Sequence, residues 1–277
     1  MEPPPYPWPE GKRSAALISI DVDADTPLLW RHRAAPGSPW LSEWEQRQYG
    51  LRGGIPKLLQ VLARHEVRAS FFVPGDVAAR RPDLLPRLLR EGHEVGLHGY
   101  LHEAAADISD AEFAEALGRS LELFQRQTGR RPAGFRAPGW ELTRGMLAEI
   151  GAAGLYDSSF SGYDHPYTIE GVTELPISWN REDTARFKLT GVSDRVPASP
   201  LHVLEEWLFD WEASAEAGAL FTLTLHDWVS TRPAPLKVLD RLLARLRQDE
   251  TAWIATGEAI AAHERSLPEE ARTRVSL

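Results

Sequence analysis

Short apolar runs alternate with amphipathic stretches along almost the whole chain, and that alternation leaves few folds open. "AALISID" (15–21) reads as a buried strand, "IPKLLQVLARHE" (55–66) carries apolar residues at helical spacing, and "RASFFVP" (68–74) is again a strand. "RPDLLPRLLREG" is a helix with a glycine stop ahead of the strand "EVGLH", and "DAEFAEALGRSLELFQRQTG" is a longer helix ahead of "GFRAP". Further strands are expected at "TELPIS", "LFTLTLH" and "AWIAT", with helices over 201–217 and 235–247. Strand–helix alternation of this kind builds a parallel sheet, and about seven or eight strands favour a barrel. Neither linker nor repeat interrupts it, so the expectation is one domain over 14–265, a proline-rich arm over 1–13 and a tail over 266–277.

Two segments break the rhythm. "PPPYPWP" near the start is too proline-dense for helix or central strand and should run extended over the surface. Its aromatics could dock on the domain or on a neighbouring subunit, which leaves a homo-oligomer open. Residues 25–54 are long for a connection between strand and helix, which usually takes about 2–6 residues. They carry Trp30, Trp40, Trp44 and Tyr49, a candidate lid or substrate wall, or else a loop packed on the rim.

Composition closes several routes. The net charge of −9 argues against nucleic acid or an anionic membrane as the main partner, because both require a basic face. No apolar run reaches the roughly 18–20 residues that span a bilayer, and acid and proline stand where a signal peptide needs a basic and then an apolar region. A cytoplasmic location is therefore expected. Cysteine is absent, so any metal must be held by His, Asp or Glu.

Polar groups gather where the strands end, and in a parallel barrel those ends open on one face. The first strand ends "SIDVD", which places Asp21 and Asp23 on the same side. "EVGLHGYLHE" supplies His98 and, after a turn that Gly99 favours over a helix, His102. "GFRAPGW" supplies Arg136, and "LTLHDW" supplies His226 followed by Asp227. One carboxylate with two imidazoles makes a facial ligand set with positions left open for water and substrate. A zinc protease would need HExxH or HxxEH, and Gly99, Tyr100 and Leu101 between the histidines exclude both. The second carboxylate could serve as general base, since an ion lowers the pKa of a bound water to about 7 in favourable zinc sites. Arg136 would keep that base ionised, and His226 would protonate the leaving nitrogen. Each of these residues also has a plain structural use, as a strand cap, a salt bridge or a satisfied core histidine. Trp140 and Trp228 follow two of the segments and could stack on a ring or fill the core. Asp164 and Tyr167 are loop residues that could contribute to a substrate wall.

"SIDVD", "HGYLH", "FRAPGW", "ELPISW" and "LTLHDW" stand in the order of the five motifs of the polysaccharide deacetylases, carbohydrate esterase family 4, which the chain resembles from about Leu17 to Ala255. The resemblance implies a distorted (β/α)7 barrel and metal-dependent hydrolysis of N-acyl groups on amino sugars. Position by position it makes Asp21 the base, Asp23, His98 and His102 the metal ligands, Arg136 the partner of the base and His226 the acid. It also implies that the backbone N–H near Gly139 steadies the tetrahedral oxyanion, a contribution typically worth about 3–4 kcal/mol.

Three departures bear on the substrate. Asp21-Val22-Asp23 replaces adjacent aspartates, the second motif reads HGYLH where a small hydroxyl residue commonly follows the first histidine and sets Tyr100 between the two, and Trp140 stands where a tyrosine is usual. With "YGLRGG" (49–54) and "DSSFSGYDHPY" (157–167) they resemble the branch holding cytoplasmic peptidoglycan-deacetylase-like and allantoinase-like proteins. The leading expectation is deacetylation of an N-acetylated sugar or related small amide. The alternatives are ring opening of a ureide or cyclic imide, and a catalytically silent carbohydrate- or metabolite-binding protein. The cofactor expected is one divalent ion; nitrogen and oxygen ligands suit zinc, and manganese, cobalt, iron and nickel are compatible. Tyr49, Tyr100, Gly139, Trp140, Asp164 and Trp228 are the candidate substrate contacts. The expected partner is a small-molecule or oligosaccharide substrate, with neither nucleic acid nor membrane.

Overall fold

A computed structural model describes residues 5–34, 41–188 and 196–277. β1 (Ser14–Asp21) is buried along its whole length, as a strand covered on both faces must be. The segment after it is not the irregular loop its length suggested. It folds into α1 (Thr26–Arg31), α2 (Leu41–Tyr49) and one wide π-helical turn over 50–54, which runs directly into α3 (Ile55–Arg64). Trp40 lies outside the described residues.

Then come β2 (Ser70–Val73), α4 (Gly75–Arg80), α5 (Leu84–Arg90) and β3 (Glu94–Leu97). α6 (Asp110–Thr128) opens on a capping box in which Ser109 and Glu112 satisfy each other's backbone N–H, and it stops at left-handed Gly129. β4 (Gly134–Phe135), α7 (Arg144–Ala152), β5 (Tyr156–Asp157), β6 (Tyr167–Ile169) and β7 (Val172–Glu174) follow. The chain ends with α8 (Thr184–Phe187), α9 (Pro200–Glu216), β8 (Leu220–His226), α10 (Pro233–Leu246), β9 (Ala252–Ile254), α11 (Gly257–Ser266) and β10 (Arg274–Val275).

The strands form a single sheet in the order β10-β6-β7-β5-β4-β3-β2-β1-β8, with β9 added beside β1. All pairings are parallel except β6 with β7. The curl nearly closes, because residues beyond β7 reach the free edge of β8: Thr222 Oγ1 donates to the Pro176 carbonyl (2.7 Å) and Asp183 N to the Thr224 carbonyl (3.2 Å). This is a distorted (β/α)7 barrel whose last stave is held by scattered bonds rather than a ladder. "TELPIS" accordingly pairs as a strand only at its start, and the small strands β6 and β10 had no sequence signal strong enough to predict them.

The arm and the tail both rest on the N-terminal end of the barrel or its flank. Trp8 is buried, donating Nε1–H to the Gly218 carbonyl (2.8 Å), and the Tyr6 hydroxyl donates to Glu264 (2.6 Å). The tail supplies β10 to β6. Of the two dockings open to the arm aromatics, Tyr6 and Trp8 take the one on their own domain. No helix among the described residues is long and apolar enough to cross a membrane.

Candidate active site

Register puts the polar groups together. β1 and β8 align Asp21 directly with His226, and β1 and β2 align Asp21 with Phe72, so the catalytic candidates stand at the C-terminal ends of neighbouring strands. A cavity of about 290 Å³ opens there, lined by Asp21, Asp23, His98, His102, Gly139, Trp140, His226 and Trp228 among others.

Arg136 is fully buried and spends its donors on one side of the barrel. Nη1 donates to Asp21 Oδ1 (2.9 Å) and Ser19 Oγ (2.8 Å), while Nε and Nη2 donate to the carbonyl and hydroxyl of Ser158 (2.9 Å each). The guanidinium cannot turn without breaking several bonds, so it fixes the Asp21 carboxylate in place.

Asp23 is the group most in need of a partner. Its Oδ1 is buried with no hydrogen-bond donor, and it faces His98 Nε2 at 3.4 Å and His102 Nε2 at 3.6 Å. His98 donates Nδ1–H to the Arg136 carbonyl (2.8 Å), which leaves the lone pair of the neutral ring on Nε2, aimed at Asp23. Burial lowers the His102 pKa to about 4, against the pull of Asp23, so this ring also favours a lone pair. Burial opposes a charge on His98, but Asp21 and Asp23 raise its pKa, so a proton or a cation is what this pocket calls for. With both rings neutral, the three converging donor atoms form an N2O set that fits the divalent ion the motifs imply.

His226 is held differently. Its ring donates Nδ1–H to Asp183 Oδ1 (2.7 Å), and its backbone N–H donates to Asp183 Oδ2 (2.8 Å). Burial works against the charged ring, but Asp183, Asp23 and Glu182 outweigh it and raise the pKa well above the ordinary histidine value. The carboxylate of Glu182 is itself occupied by the N–H groups of Thr184 and Ala185. Asp183 therefore orients a protonated imidazole whose Nε2 lies 3.8 Å from Asp23 Oδ2. Asp227, the sequence neighbour of His226, instead turns to accept from Ala24 N (3.2 Å), and burial pushes its pKa up to about 8.

The other predicted contacts divide. Gly139 sits on the cavity with φ +67°, and nothing would meet a side chain there, so backbone conformation rather than space calls for glycine. Trp140 lines the cavity and packs at a tilt against Trp179 (ring centroids 4.3 Å apart, planes at 50°), a residue that is 59% exposed. Trp228 lines it too, buried beneath the Arg47 guanidinium at 4.5 Å. Tyr100 points away: its ring packs against Gly75 and carries Arg119 over its face at 3.8 Å. Tyr49 lies between Lys57 and Arg232, Asp164 offers its carbonyl to Leu220 at the opposite end of β8, and Tyr167 is buried in β6. Those four lie outside the cavity lining. Sequence reasoning did not single out Arg47, Trp179, Glu182 and Asp183; Trp179 closes the quoted segment "ELPISW", but the rest come from segments with no periodic pattern.

Backbone strain marks the same place. Of the five non-glycine residues with positive φ among the described residues, Ala24, His102 and Trp140 (48°, 60° and 63°) belong to this site or touch it, while Glu66 and Glu170 sit in turns elsewhere.

Comparison with known proteins agrees with the geometry. A family model described as polysaccharide deacetylase matches residues 48–157. A solved Mycobacterium smegmatis protein assigned to the polysaccharide deacetylases is 30% identical, with TM-score 0.90 over 99% of this chain and 96% of that one. A peptidoglycan deacetylase of Helicobacter pylori is 27% identical over 87% of this chain and 94% of its own length. A solved allantoinase shares the fold at 20% identity, TM-score 0.82, over 96% of this chain and 94% of that one.

Proposed function

The chain belongs to the polysaccharide deacetylase family, and from that premise we propose that it hydrolyses the N-acetyl amide of a small amino sugar, releasing acetate and a free amine. The observation that carries this reading is the unsatisfied Asp23 Oδ1 between two imidazole lone pairs, with the Asp21–Arg136 and His226–Asp183 pairs lining the same cavity. Asp23, His98 and His102 would hold a divalent ion, zinc being the best match to the donors. That ion, when bound, polarises the amide carbonyl and makes a water acidic enough to attack near neutral pH.

The residues of the chain do the rest. Asp21, aimed by Arg136, takes the proton from the attacking water. His226, protonated and held by Asp183, gives its proton to the amide nitrogen as the carbon–nitrogen bond breaks. Gly139 lines the cavity, and a backbone N–H near it would steady the developing oxyanion. Trp140 and Trp179 offer ring faces to the sugar. A cavity of about 290 Å³ lies at the low end for small-molecule sites, roughly 300–1,000 Å³, which suits one sugar unit, a soluble fragment or a precursor more than a long polymer. Such a substrate fits a cytoplasmic enzyme.

Ring opening of a ureide rests on a shared fold alone. The silent-binder reading would need a broken site, and the proximity of Asp21 to Arg136, of His226 to Asp183, and of Asp23 to His98 and His102 speaks against one. The test is acetate release from N-acetylated mono- and disaccharides by the wild type and by Asp21→Asn. Release that is lost in the variant supports the reading. Ring opening of allantoin with no acetate from any sugar refutes it.

A further inference from the structure

We propose that the mouth of the cavity recognises an anionic substituent on the substrate, a carboxylate or a phosphate, through Arg31, Arg47 and Lys188. The inference rests on the deacetylase reading and narrows its substrate class. The deacetylation chemistry itself uses none of these three side chains, yet all line the cavity.

Charge is the first argument. The chain as a whole carries −9, but three cations meet on this wall, brought by α1, by α2 and by the residue that ends α8. The carboxylate set among them is Glu43, 3.5 Å from Arg31 Nη1 and 3.8 Å from Arg47 Nε. Asp23 also lies 3.9 Å from Arg47, so among the described residues the three cations outnumber the two carboxylates within 4 Å of them. The groups sense one another: burial first, then Arg47 and Arg31, lower the Lys188 pKa, against the opposing pull of Glu43 and Asp23. Like charges gathered in a partly dry cleft are costly unless something negative visits them.

Arg47 is the second. It is 3% exposed, and its Nε has no hydrogen-bond partner. Nη1 donates to the Ala24 carbonyl (3.2 Å), and the approach to Asp23 Oδ2 is 3.9 Å, too long for a hydrogen bond. The plane of the guanidinium rests on Trp228, which fixes its direction. A guanidinium that lines the cavity and whose carboxylate neighbours, Glu43 and Asp23, both stand 3.8 Å or more away suits a closer contact with a carboxylate or phosphate. Pairing with Asp23 accounts for part of Arg47 but not for Arg31 or Lys188, neither of which forms an ion pair with a metal ligand.

The experiment compares three probes: N-acetylglucosamine, N-acetylmuramic acid with its carboxylate, and N-acetylglucosamine 6-phosphate. Calorimetric binding to the metal-replete protein, on an Asp21→Asn background to stop turnover, gives the Kd of each, with and without Arg31→Gln/Lys188→Gln. Both positions are partly exposed, and circular dichroism checks that the double variant stays folded. At least one anionic sugar should bind about tenfold or more tightly than the neutral one, with the preference weakening as salt rises. The double variant should bring that ratio close to one. Which anionic sugar gains identifies carboxylate or phosphate as the group recognised. Equal binding of all three, binding of none, or a preference that survives the double substitution overturns the inference. Acetate release by the wild type separates the two claims. Release without anion preference leaves deacetylation standing and removes this inference. Anion-selective binding without acetate from any probe does the reverse.

Discussion

At the scale of single residues, the proposed site is built from pairs in which one member would act and the other holds it in place. Arg136 aims Asp21 and Asp183 aims His226, both through short bonds inside the barrel wall. Asp183→Asn tests the second pair. It removes the charge that holds His226 protonated, so kcat should fall by about 10²-fold, the low end for general acid catalysis. The sign of the pH effect follows from the raised His226 pKa. The acid is useful only below its pKa, so the alkaline limb of the rate profile should move to lower pH in the variant. An alkaline limb that stays in place would show that Asp183 does not set the acid. The actors were legible in the sequence because regular strands deliver them at their ends. Asp183 was not, since it arrives on an irregular stave after β7, where neither period 2 nor period 3.6 marks a position.

Elements explain the glycines and the buried acids. The π-helical turn joining α2 to α3 lies hard against the segment after β8: a Cβ on Gly50 would collide with the Asp227 carboxylate, and one on Gly54 with the Thr231 hydroxyl. "YGLRGG" is thus a packing requirement. Gly50→Ala should destabilise by about 1–3 kcal/mol, as overpacking does. Gly53→Ala, which meets nothing, should be neutral or slightly stabilising in the same thermal melts. Equal melting temperatures for the two variants would remove the close-approach argument. Between β5 and β7, Asp157 and Glu174 are both buried, each with one carboxylate oxygen lacking a donor, the arrangement of a shared proton. Burial raises both pKa values. A raised acid is protonated in both states below its unfolded pKa, about 4.5, and opposes folding as pH climbs through the folded value. Wild-type stability should therefore decline from about pH 5 upward, and Glu174→Gln should flatten that decline. Parallel curves of melting temperature against pH would contradict it.

Over the whole molecule, chemistry and anchorage occupy opposite ends of one barrel. The arm seals the N-terminal end through Trp8 against Gly218, just ahead of β8, while His226 ends the same strand at the cavity. Trp8→Ala should cost about 3 kcal/mol of stability and leave KM and kcat near their wild-type values at temperatures where the variant is folded. A large change in KM would mean that the two ends are coupled. The alternation of strand and helix made the barrel and its open face legible, and with them Asp21, Asp23, His98, His102, Arg136 and His226 at a single mouth. What stayed hidden was the content of 25–54, a pair of helices carrying Arg31 and Arg47 to that mouth, because its short helices lack a long apolar stripe. Tyr100 shows the converse: its place between two ligands suggested substrate, but the turn forced by Gly99 sends its ring toward α6. The central claim is that Asp23, His98 and His102 hold a catalytic ion, and elemental analysis of gently purified wild type beside His98→Ala tests it most directly. The account predicts about one divalent ion per wild-type chain and its loss in the variant. A wild type without stoichiometric metal, or a variant that keeps the full amount, would contradict it.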